Sequence, residues 1–96
     1  MFTIVQTPRF AKWLDGLPDI KAQRRIATRL ERLQAGHLGD CKAIGEGVSE
    51  LRIDYGPGYR LYFTRRDRTI VILLCGGAKG TQKRDIALAK QLTASL

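Results

Sequence analysis

The stretch Leu51–Phe63, LRIDYGPGYRLYF, decides how the chain is read: two alternating apolar runs are returned on each other at Gly56-Pro57-Gly58. In the first run, VSELRIDY (48–55), Val48, Leu51, Ile53 and Tyr55 alternate imperfectly with Glu50, Arg52 and Asp54. In the second, YRLYFT (59–64), Tyr59, Leu61 and Phe63 alternate with Arg60, Tyr62 and Thr64. Such a pattern describes strands with one buried face. A turn confined to Gly56-Pro57-Gly58 sets Asp54 opposite Arg60 and Arg52 opposite Tyr62, on the face away from Leu51, Ile53, Leu61 and Phe63. One face is then apolar and the other ionic and aromatic. By itself the second face reads as solvated surface, with an Asp54–Arg60 cross-strand pair of about 0.2–1 kcal/mol.

Downstream, the polar turn RRDR (65–68) leads into TIVILL (69–74), an unbroken apolar run that fits a strand covered on both faces and therefore central. The chain then passes through the Gly-rich CGGAKG (75–80) into a last helix from about Thr81, with Ile86, Ala89 and Leu92 on its apolar side. Upstream, the Gly-rich segment from Gly36 to Gly47 reads as a loop with a short edge strand around Lys42–Ile44. Two helices precede it. Asp19 caps the longer, 20–36, which turns Ile26, Leu30 and Leu33 inward and Lys21, Arg24, Arg25, Arg29 and Arg32 largely outward. Thr7 caps the shorter, Pro8 takes its first position, and Phe10, Trp13, Leu14 and Leu17 recur at helical spacing. FTIVQ (2–6) opens the chain as a strand. The order predicts one α+β domain over 1–96, in which an N-terminal strand and an antiparallel helical hairpin pack on a small, mainly antiparallel sheet with a C-terminal helix.

Ninety-six residues, 44% hydrophobic and 27% charged, suit a single core. No run approaches the about 20 apolar residues of a bilayer span, and the N-terminus lacks a basic region followed by an apolar core, so a cytoplasmic protein without membrane association is expected. Cys41 and Cys75 fall into neither metal-ligand nor disulfide spacing and read as small apolar fillers; no metal is expected. The formal net charge of +8 favours a polyanionic partner, nucleic acid or an acidic protein.

Conventional catalytic sets are thin. His37 is the sole histidine and lies in a Gly-rich loop, and no Ser-His-Asp set or carboxylate pair stands out. The basic residues cluster more suggestively. GGAKGTQKRD (76–85) surrounds Lys79 with glycines and places Gln82, Lys83 and Arg84 where a helix begins. Exposed N–H groups there attract anions, and cations in a first turn oppose the helix dipole at a few tenths of a kcal/mol, which is consistent with a phosphate ligand. The P-loop pattern is absent, which argues against nucleoside triphosphates. Arginine and lysine chemistry on a phosphodiester remains, with RNA suited to it through its 2′-OH and through bases that stack on Tyr62 or Tyr59.

From FTIVQTPRFAKWLDGL through GVSELRIDYGPGYRLYF to ILLCGGAKGTQKRDIALAK, the whole chain resembles the RelE/ParE toxin superfamily, in its short HigB-like addiction-module-killer branch. The resemblance implies a microbial-RNase-like fold and the toxin of a type II toxin–antitoxin pair, neutralised by a helix-turn-helix antitoxin. It implies ribosome-dependent mRNA cleavage by attack of the 2′-OH on the adjacent phosphate, without a small-molecule cofactor. By this resemblance Arg60 binds the scissile phosphate, and Lys79 and Arg52 fall at or near the family's other basic positions and are expected to stabilise charge; from the basic segment and the stacking chemistry, Lys83, Arg84, Tyr62 and Gln82 are expected to contact RNA. Asp54 stands where RelE-type members often carry a second lysine, Gly80 where they have an arginine, and Ile86 near their catalytic tyrosine. ParE-like members share the scaffold and inhibit DNA gyrase without cutting RNA, which is the alternative function.

Overall fold

Local signals at the two helix starts fix the first half of the molecule. In the computed structural model, which describes every residue from Met1 to Leu96, β1 is Thr3–Gln6 and α1 is Pro8–Asp15. Thr7 Oγ1 accepts from the Phe10 N–H at 3.2 Å and donates to the Leu73 carbonyl at 2.8 Å, so the cap also ties the helix to the sheet. Helix α2, Ile20–Gln34, starts at Asp19, whose Oδ1 accepts from the N–H groups of Lys21 (2.9 Å) and Ala22 (3.3 Å). Gly36, at φ 98°, follows the last turn in the left-handed conformation that ends many helices.

Strands β2 (Cys41–Gly45), β3 (Val48–Ile53), β4 (Tyr59–Arg66) and β5 (Ile70–Ala78) follow, then one 3₁₀ turn at Lys79–Thr81 and α3 at Gln82–Ala94. The sheet order is β1-β5-β4-β3-β2; β1 runs parallel to β5 and every other neighbour is antiparallel. β5 is interior, as its unbroken apolar run requires. No helix is long and apolar enough to cross a membrane.

Alternation sends side chains to two faces. Leu51, Ile53, Tyr59, Leu61, Phe63, Val71 and Leu73 meet Phe10, Ala22, Ile26, Leu30 and Leu33 of the helical hairpin in one cluster of 12 buried residues. Val48, Tyr62, Leu74, Cys75 and Ala89 form a smaller cluster under α3. The β4–β5 register shifts between Tyr62 and Phe63: Tyr62 faces Cys75 and Phe63 faces Leu73, which leaves Leu74 as a bulge. Leu74 and Cys75 therefore both turn toward α3, and this breaks the period of the apolar run.

Three expectations are corrected. The β3–β4 hairpin is wider than a Gly-Pro-Gly turn: Ile53 faces Tyr59, Arg52 faces Arg60 and Glu50 faces Tyr62, while Asp54 lies outside the ladder. Tyr55 is held elsewhere, since its hydroxyl donates to Asp19 Oδ2 at 3.1 Å, Arg25 stacks on its ring at 4.6 Å, and Gly58 N–H closes the turn on its carbonyl at 3.1 Å. This two-residue slip keeps each side chain on its face and changes only its partners. Second, CGGAKG is no loop at its start, because β5 continues through Gly76 and Gly77 to Ala78. Third, Arg29 does not face solvent freely. Its guanidinium donates to the carbonyls of Arg52 (2.6 Å), Leu38 (3.2 Å) and Asp40 (3.4 Å), fastening α2 to the segment before β2. Burial lowers its pKa, and the Asp40 charge opposes that shift.

Candidate nucleic-acid interface

The ladder brings Glu50, Arg52, Arg60 and Tyr62 onto the α3 side of the sheet. Arg52 and Arg60 stand directly opposite each other, an unfavourable like-charge pair unless each finds its own carboxylate. Each does. Arg52 donates to Asp40 Oδ1 from Nη2 (2.8 Å) and Nε (3.2 Å) in a half-exposed pair. Arg60 Nη1 lies 4.0 Å from Glu50 Oε1, and here both side chains are largely buried.

Glu50 is 1% exposed and holds this cluster together. Its Oε2 accepts from Gln82 Nε2 at 2.8 Å, which leaves Oε1 facing Arg60. Gln82 can reach it because α3 begins directly above the end of β5. A Cβ on Gly77, the ladder partner of Arg60, would collide with the Asp85 carboxylate of α3, and one on Gly76 would collide with the Trp13 indole of α1. The two glycines therefore admit a helix on either side of the sheet, a packing role that replaces the phosphate-cradling role expected of them.

Two polar atoms in the cluster are buried without a partner, Arg60 Nε and the Tyr62 hydroxyl. Burial raises the Tyr62 pKa, and the nearby charges of Glu50 and Asp85 raise it further. Cys75 beside them is pushed up to about 11, by burial first and then by the Asp85 charge, with Arg9 opposing. Asp85 is itself 6% exposed and accepts from the Thr81 hydroxyl at 2.6 Å. Thr81 thus makes no side-chain cap to α3.

The residues singled out from sequence fall into three groups. Arg60 and Gln82 converge on Glu50, and Tyr62 lies beside them with 0% exposure, so in this conformation no base can stack on it. Tyr59 is likewise buried, at 8%, on the hairpin face. Lys79 opens the 3₁₀ turn beside Gly58, exposed, and Lys83 and Arg84 are exposed on the first turn of α3, where they line a shallow surface depression with Gly80 and Thr81. Arg52 shares the face but is committed to Asp40.

Sequence reading passed over Glu50, whose signal was hairpin length: the wider turn puts it opposite Tyr62. Trp13, which helical spacing groups with Phe10, Leu14 and Leu17 on one stripe of α1, is partly exposed. Trp13 lines a groove of about 620 Å³ between α1 and α3, together with Arg9, Lys12 and Arg84.

A five-stranded sheet with a helical hairpin on one face and a C-terminal helix over a buried polar cluster on the other is compatible with the RelE-like class of α+β folds. The chain belongs to the Gp49-like phage-derived family (DUF891), whose model matches residues 12–94. This family is associated with toxin–antitoxin modules. An uncharacterized protein of Haemophilus influenzae (strain Rd) is 46% identical over 93 residues, which cover 97% of this chain and 94% of that protein.

Proposed function

We propose that this protein is the toxin of a type II toxin–antitoxin module and cleaves mRNA on the ribosome, the RNA's own 2′-OH attacking the adjacent phosphate. The observation that carries the reading is the buried Glu50–Arg60 pair, in which the guanidinium keeps an unpartnered Nε and the carboxylate keeps Oε1 free of hydrogen bonds from Gln82. Arg60 then binds a phosphate oxygen and stabilises the charge that develops on it. Glu50 Oε1 accepts the 2′-OH proton. Lys79, Lys83 and Arg84 hold the flanking backbone. Gln82 covers the carboxylate, so RNA entry requires its side chain to swing aside. A helix-turn-helix antitoxin with acidic or apolar segments neutralises the cationic surface.

The test is expression of the chain alone with mapping of RNA 5′ ends on translating ribosomes. Cuts linked to codons are expected. In Arg60→Lys, which keeps a cation against Glu50 but loses the planar fork, they fall about 100-fold or more. Arg60→Ala is a poorer variant, because an unpaired buried carboxylate costs about 3–5 kcal/mol. Growth arrest with intact mRNA and DNA-damage signalling would sink the nuclease reading in favour of a gyrase-directed toxin.

A further inference from the structure

The groove between α1 and α3 lies beside the proposed site of cutting and shares only Arg84 with it. Arg9 and Lys12, three residues apart on α1, flank it, and Arg84 enters from the first turn of α3. Neither Arg9 nor Lys12 lies within ion-pairing distance of a carboxylate. Arg84 has only its neighbour Asp85, 3.8 Å from its Nε, and the other Asp85 oxygen is taken by Thr81. Trp13 supplies the aromatic wall. Its indole is set by close contact with Gly76 and by ring contacts with Phe10 (5.7 Å between centroids) and Tyr59 (6.2 Å).

We propose that this groove is a subsite for single-stranded RNA, with phosphates on the three cations and one base stacked against Trp13. Cations beside a fixed aromatic ring are the two components of a single-strand site. An acidic peptide would satisfy the cations alone. Arg84 also lines the depression shared by Lys83, Gly80 and Thr81, so the groove joins the basic surface after Lys79; the one carboxylate on its lining, Asp85, is 6% exposed and engaged by Thr81 and Arg84. The inference rests on RNA as the ligand of that surface, and not on the chemistry at Arg60.

Trp13 is the sole tryptophan, so its fluorescence reports occupancy. The full chain is titrated with a short 2′-O-methyl oligouridylate, which lacks the nucleophile and stays uncut. Quenching is expected. Three phosphate contacts on a single strand give a slope of about −2 in log affinity against log salt, so a fourfold rise in salt weakens binding roughly 20-fold. Arg9→Glu and Lys12→Glu, at exposed positions of α1, each weaken it about tenfold or more with unchanged circular dichroism, while the same reversal at the exposed Lys21 of α2, Lys21→Glu, quenches as wild type. Loss of cleavage with quenching intact would remove the nuclease reading and leave this one standing. Quenching that survives both groove reversals, or that falls equally in Lys21→Glu, overturns the subsite. Quenching by polyglutamate where the oligouridylate has no effect overturns it too, and makes the groove a dock for an acidic protein.

Discussion

The two faces of the sheet are built from the same strands and hold different materials. Under the helical hairpin, 12 buried residues form an apolar layer with Tyr59 as its sole hydroxyl. Under α3 the apolar cluster has 5 members, and it surrounds Glu50, Thr64 and Asp85, the three buried polar residues of the chain. Both unpartnered polar atoms of the strands, Arg60 Nε and the Tyr62 hydroxyl, lie on that second face. Apolar contact is tolerant of small shifts, whereas a buried polar group keeps its full desolvation cost until something meets it. Stability is therefore concentrated on the hairpin face, and the capacity to bind on the α3 face.

The largest expected effect attacks that division from the apolar side. Leu61→Ala removes a fully buried side chain and should lower stability by about 2–5 kcal/mol in urea unfolding. The folded fraction should keep the same cut positions. A changed cut pattern would break the division.

Alkaline pH probes the other face. Cys75 ionises near pH 9 when unfolded and at about 11 when folded, so the folded state is favoured while the thiol stays neutral. Its contribution is complete below pH 9 and is lost as pH rises to 11, a fall of about 2–3 kcal/mol. Denaturant midpoints across that range should decline steeply in the wild type and less in Cys75→Ala. Equal decline in both would place the sensitivity elsewhere.

The adjacent glycines sharpen the comparison, because each serves one face. Gly76→Ala pushes on Trp13 and Gly77→Ala on Asp85 and Thr81; overpacking of this kind costs about 1–3 kcal/mol. The first should shift the Trp13 emission and weaken oligouridylate binding in the groove, with Gln82 left in place. The second should displace the first turn of α3, and Gln82 with it, and reduce cleavage.

These glycines also show what could be read from the chain alone. The strands, both helix caps and the hairpin-facing apolar residues follow from periods and capping chemistry that are local in sequence. Arg60 was legible because a cation interrupts an apolar strand. Glu50 was not: its partner across the ladder depends on a turn widened by Tyr55 contacts to Asp19 and Arg25, which are far away in sequence. Gly76 and Gly77 misled for the same reason. A glycine looks alike whether it frees a loop or admits a helix, and only the approach of α1 and α3 tells the cases apart.

The smallest expected effect is also the most discriminating. Tyr62 looked from sequence like a stacking platform, and it is fully buried, with a hydroxyl that meets no partner. Removing that oxygen in Tyr62→Phe should leave the ring packing intact and raise stability by about 1 kcal/mol, since the oxygen is desolvated without compensation. Its raised pKa adds a second signature. The unfolded tyrosine ionises near pH 10 and the folded one resists, so wild-type stability declines above about pH 10 in a part that Tyr62→Phe lacks. Cleavage should be unchanged, because a sealed hydroxyl has no access to RNA. If cleavage instead fell while stability held, the hydroxyl would be reached only after α3 lifts on the ribosome, and the closed face would be a resting state of the site.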